Sequence, residues 1–112
     1  MLSDDFLTYV LEDVLGGVSK IKARRMFGGF GLYHDGAFFG IVDDGQVFFK
    51  VDDRTRSEYE AAGSAPFSYK RRDKSITIET YYEVPADVLE DQKKAAAWAR
   101  RAYRITKKQT RR

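Results

Sequence analysis

The chain has 112 residues, 43% apolar and 14% aromatic, with 33% charged residues, a net charge of +3 and no cysteine. This composition supports one packed core in a single domain over residues 1–112, and it excludes a disordered chain, a disulfide scaffold and a cysteine–zinc site. No apolar run nears the ~20 residues that cross a bilayer, and the acidic start Met1-Leu2-Ser3-Asp4-Asp5 is unlike a basic secretion signal, so a cytoplasmic protein without membrane contact is expected.

Ser3 is placed to cap a first helix, with Asp4 and Asp5 in its first turn and Phe6, Leu7, Val10, Leu11 and Val14 at helical spacing; Gly16-Gly17 ends it. The period then changes to two. It predicts a strand over residues 27–33, a turn at His34-Asp35-Gly36, a strand over residues 37–42, a tight turn at Asp44-Gly45 and a strand over residues 46–51. Asp52-Asp53 starts a short helix that Gly63 stops. Residues 67–70 and 75–82 form a second hairpin. Pro85 opens a last helix with acidic residues early and basic residues late. The sum is an α+β fold, one antiparallel sheet in the order α-β(3)-α-β(2)-α.

Charge is uneven along this frame. Residues 100–112 hold seven basic and no acidic side chains, leaving 13 basic against 17 acidic elsewhere. The basic runs are residues 20–25, residues 70–74 and this end, which reads as a basic C-terminal tail from about residue 104 to 112. Arg100, Arg101, Arg104, Lys107 and Lys108 are therefore candidate nucleic-acid contacts, of a non-specific, salt-sensitive kind. Favourable charge at a helix C-terminus explains the same residues equally well.

The glycines at 28, 29 and 31 invite a phosphate-loop reading, which their context defeats. His34 stands where a dinucleotide fingerprint needs its last glycine, a strand follows where a helix should begin, and no Gly-Lys-Ser/Thr is present. A strand with a bulge or a close approach is the better account. Aromatic residues surround these glycines, and alternation sends them to both sides of the sheet. Two arrangements are open: helices cover both sets, or one side keeps an apolar patch over a glycine floor. In the second case Phe27, Gly28, Gly29, Phe30 and Gly31 are a candidate partner or ligand surface. Trp98 joins them as a candidate, because it points away from the apolar stripe of the last helix and could dock a second copy in a weak homodimer.

Catalytic groupings are poor. His34 is the only histidine and falls in a turn. Asp43-Asp44 and Asp52-Asp53 have turn and cap roles to fill, and no metal-ligand spacing occurs, so no catalytic residue, metal or cofactor is expected.

The stretches RRMFGGFGLYHDGAFFGIVDDGQVFFKVDD, YEAAGSAPFSY, YYEVPADVLED and WARRAY together resemble the N-terminal domain of the TfoX/Sxy proteins, regulators of natural competence. The resemblance runs from about residue 6 to 103. It implies a fold similar to secretion-chaperone-like domains, in the order read above, and brings no catalytic residue and no cofactor. Full-length regulators of this type carry a second, helical domain, and a chain of this length is expected to hold only the first. The expectation is a non-enzymatic regulatory or protein-interaction domain with a protein partner. Nucleic-acid binding through the basic runs is one alternative, and small-ligand binding over the glycine-rich strand is another.

Overall fold

Two Asp-Gly pairs set the frame of the sheet. Asp35-Gly36 and Asp44-Gly45 both have positive φ at each residue (49° and 86°; 48° and 74°). These are type I′ turns, whose twist matches that of the strands they join. In the computed structural model, which describes residues 2–26 and 28–110, they link β2 (Gly29–His34), β3 (Ala37–Asp43) and β4 (Gln46–Lys50) into a meander. Ahead of it lies β1 (Ile21–Met26), paired antiparallel with β2. After it come β5 (Pro66–Arg71) and β6 (Lys74–Glu83), and the six strands form one antiparallel sheet in the order β1-β2-β3-β4-β6-β5.

The α+β class and the single antiparallel sheet are as the sequence predicts, with differences in detail: Ser3, expected as a cap, lies inside the first helix, and His34, expected in a turn, closes β2. The strand β1 was not expected. Its sequence, Ile-Lys-Ala-Arg-Arg-Met, is dominated by charge, and only Ile21 and Ala23 turn toward the core. It is an edge strand, and lysine and arginine there discourage pairing with another chain. The last helix is also broken. Asp91 Oδ1 accepts from the amides of Lys93 and Lys94 at 3.0 and 3.2 Å. The carboxylate thus caps a new helix, where it was expected to act only as a charge inside one. α3 is Ala86–Leu89 and α4 is Gln92–Thr110. The basic residues from Arg104 to Lys108 continue α4 as helix.

α1 (Leu2–Tyr9) begins one residue ahead of Ser3 and widens into a π-helical turn, Val10–Val14, closed by Leu15 N–H donating to Val10 O at 2.8 Å. α2 (Asp53–Ala61) starts with a reciprocal cap: Thr55 N–H donates to Asp52 Oδ1 at 2.9 Å and Asp52 N–H to Thr55 Oγ1 at 3.0 Å. That use of Asp52 holds its carboxyl below the usual carboxylate range.

All the helices serve one side of the sheet. Leu32, Phe39, Val42, Val47, Phe49, Val51 and Tyr82 meet Val10, Val14, Leu15, Val88, Ala95, Ala99 and Ala102 in the main core. Ala95, Ala99 and Ala102 let α4 lie close on β3 and β4. The pairing also carries a bulge. Leu32 faces Gly40 and Tyr33 faces Phe38, so Phe39 is the extra residue and joins Gly40 on the helix side.

The opposite side has a core of its own. β6 pairs with β4 only through Tyr81–Glu83, then runs on with β5 as a long hairpin. This arm returns Phe67 onto Phe48 (ring centroids 5.0 Å, near-perpendicular) and buries Ile41, Phe48, Phe67 and Tyr81 in a second cluster.

Candidate functional site on the helix-free face

Alternation along β2 separates the residues that adjacency had grouped. Phe30 faces the helices at 7% exposure, while Gly29 and Gly31 face the other way. Phe27 lies outside the described residues. The glycines do not form an open floor. A β-carbon on Gly29 would collide with the carbonyl oxygen of Val42 and crowd Asp43 Oδ1 at 3.1 Å. One on Gly31 would meet Met26 Sδ at 2.6 Å and the rings of Phe38 and Tyr33 at 3.1 and 3.2 Å. Gly28 has φ +82° and open space around it, so its requirement is conformational.

What fills the space above Gly31 is a file of rings crossing the sheet. Tyr33 stacks on Phe38 (5.2 Å, 29°), and Phe38 leans on Tyr81 (5.1 Å). A cation caps each end: the Arg24 guanidinium lies 5.3 Å from the Tyr33 centroid and Lys50 Nζ 5.1 Å from that of Tyr81. Tyr81 OH donates to Phe38 O at 3.2 Å, and burial raises its phenol pKa well above the usual range. Burial also lowers the Lys50 pKa. Tyr33, Phe38 and Lys50 remain half-buried.

Two shallow cavities flank this file. One, of about 430 Å³, is lined by Lys20, Lys22, Arg24, Tyr33, Asp35 and Gly36. The other, of about 570 Å³, begins at the same Asp35-Gly36 turn and runs past Phe38 to Lys50, Tyr81 and Lys107.

The basic residues of α4 are dispersed by the structure. Arg100 Nη2 donates to Gly17 O at 3.0 Å, and Arg101 Nη1 binds Glu58 Oε2 at 2.7 Å. Lys107 Nζ stands 3.0 Å from His34 Nδ1, with the His34 ring stacked flat on Tyr103 (3.6 Å, 5°). The ammonium donates, so the imidazole is neutral at Nδ1, and burial together with Lys107 holds its pKa below the usual value. Arg104 and Lys108 are exposed. These five residues therefore point to several separate surroundings. From the basic run at residues 20–25 the structure brings together Lys20, Lys22 and Arg24, just ahead of and along β1; the signal for this was the alternation of Ile21 and Ala23 with cations, broken by Arg25.

Trp98 folds back onto α2. Its ring meets Tyr59 edge-on (4.8 Å), and Arg101 lies 4.9 Å over it. It stays half-buried in a notch of about 360 Å³ lined also by Glu58, Ala61, Ala62, Pro85 and Asp87. This notch lies on the helix layer, remote from the ring file on the sheet's other face.

Among the described residues, no group of three or more histidine or carboxylate side chains is placed to hold a metal ion. No described helix is long and apolar enough to cross a membrane. Burial and the neighbouring Asp44 raise the pKa of Asp43, which sits beside Gly29.

A family model, the TfoX N-terminal domain, matches residues 13–105. DNA transformation protein TfoX1 of Aliivibrio fischeri is 26% identical over 83 residues, which are 74% of this chain and 37% of the relative. The chain thus spans well under half the length of the curated relative it matches.

Proposed function

The chain belongs to the TfoX N-terminal domain family, and from that premise we propose that it is a non-enzymatic regulatory domain of the cytoplasm that binds a partner protein in a process linked to DNA transformation. The link to transformation comes from the name of the Aliivibrio fischeri relative. The observation that carries the binding reading is the Trp98 notch. A large indole is held rigidly on Tyr59, half exposed, between small residues of α2 and the start of α3, with carboxylates Glu58 and Asp87 at its rim. Rigid, partly exposed aromatic residues in a concave, polar-rimmed surface are the usual anchors of protein association. Engagement of the polar groups supports binding over catalysis: His34 is stacked and bonded, Asp52 is a cap, and Tyr59 is a buried packing ring.

Ala61 is an exposed wall of the notch, so Ala61→Arg fills it while leaving stability within about 0.5 kcal/mol. In cells lacking the gene, the wild-type chain should restore transformation frequency, and Ala61→Arg should not, at equal melting temperature and abundance. Full restoration by Ala61→Arg would remove the notch from the function.

A further inference from the structure

The two cavities beside the ring file share Asp35 and Gly36, so they are halves of one trough that bends around the β2–β3 turn. Five cations line it, Lys20, Lys22, Arg24, Lys50 and Lys107, against one carboxylate, Asp35. Among the described residues, Lys20, Lys22, Arg24 and Lys50 make no ion pair. So one-sided a lining is complementary to a polyanion. The floor is aromatic: Tyr33 belongs to the first half and Phe38 to the second, and their stacked rings bridge the two.

We propose that this trough binds single-stranded nucleic acid, with phosphates following the cations of β1 and a base taking the outer face of Tyr33, from which the Arg24 guanidinium swings onto a phosphate while Phe38 backs the ring from behind. The inference goes beyond the protein-partner reading and uses the opposite side of the molecule. Lys22 and Arg24 lie two residues apart on one face of an extended strand, about 6.6 Å. An extended phosphate backbone can follow that repeat. Aromatic platforms flanked by cations are how sequence-tolerant proteins hold unpaired strands, because every base has a face to stack. A duplex offers its phosphates but keeps its bases stacked on each other, so it cannot use the ring. An acidic peptide would satisfy the cations and leave the rings unused.

The test is fluorescence anisotropy of the whole chain with a labelled deoxythymidylate oligonucleotide of about 12 nucleotides, within the usual range for one such site. A mixed-sequence single strand of the same length and its duplex serve for comparison. Both single strands should bind, at least about tenfold tighter than the duplex at low salt. Affinity should fall with salt at a log–log slope of about 2–3, as expected for three or four phosphates at ~0.7 each. Lys22→Glu and Arg24→Glu should each weaken binding about tenfold. Lys93→Glu, the same charge change on the helix layer, should weaken it less than about twofold. Tyr33→Leu should cost about tenfold, with the salt slope kept, and Tyr33→Phe should restore binding. If Tyr33→Leu does not fold, the exposed charge variants decide. The proposal is overturned if the duplex binds as well as the single strand, if Lys93→Glu matches Arg24→Glu, if Tyr33→Leu folds and binds normally, or if polyglutamate displaces the oligonucleotide at equal charge concentration.

Discussion

At the residue scale, two neighbouring glycines on one face of one strand face different obstacles. The atom blocking Gly29 is a backbone oxygen, fixed by the β2–β3 pairing, while the nearest atom to Gly31 is the far end of the flexible Met26 side chain. Gly29→Ala should therefore lower stability by about 2 kcal/mol, and Gly31→Ala by under about 1 kcal/mol. Denaturant titration of the two variants gives the order directly, and equal losses would mean that the strand shifts as a unit. His34 sets a pH dependence. Its pKa is lower in the folded chain than in the unfolded chain. The unfolded state therefore binds more protons between those two values, and stability rises with pH across that window. The contribution of His34 is complete above its ordinary value, near 6.5, and is lost as the pH falls toward its folded value. Melting temperature measured from about pH 7.5 down to about pH 5 should fall through this range, which spans the ordinary histidine pKa. His34→Gln should flatten that slope.

At the element scale, the break between α3 and α4 rests on a single carboxylate. Asp91→Ala removes the acceptor for two amides and should cost about 1 kcal/mol, the usual loss for a helix cap. Asp91→Asn should recover most of it; thermal melts of the two variants make the comparison. This break shows where sequence reading reaches its limit. Asp91 was visible as an acid near a helix start, but a capping aspartate and a dipole-complementing aspartate look alike until the backbone path is known. The Asp-Gly turns were legible because positive φ at two successive residues has few solutions in sequence. The Asp52 helix start was legible for a similar reason, the cap being local. β1 was not, because its charged outward face outweighed two inward residues. The glycine-rich stretch was legible only in part, for a different cause. Alternation assigns Phe30 to one side and Gly29 and Gly31 to the other, but only the returning arm of β5 and β6 and the neighbouring rings decide that neither side is vacant.

For the whole molecule, the two sides of the sheet differ in kind. One is sealed by helices, and the other is closed by its own aromatic residues and fringed with cations. Among the described residues, the basic side chains of α4 do not form one reading face: Arg100 and Arg101 are spent on Gly17 and Glu58, Lys107 on His34, and only Arg104 and Lys108 near its end stay exposed. The chain should therefore show no preference among duplex DNA sequences. A discrimination of ~10³ between one site and random duplex at physiological salt, measured by competition, would contradict this. The α4 helix has a consequence in time as well as in space. Thr106 Oγ1 donates to Phe38 O at 2.8 Å, and Lys107 reaches His34, so the last turns of α4 fasten to the β2–β3 turn. The meander between is built of near neighbours and can form early. Its inner face is nonetheless left bare of α4 until the segment around Thr106 has emerged from the ribosome. During synthesis the sheet must wait, wet on the side of Phe39 and Phe49, and a nascent chain stalled short of that point is a target for chaperones.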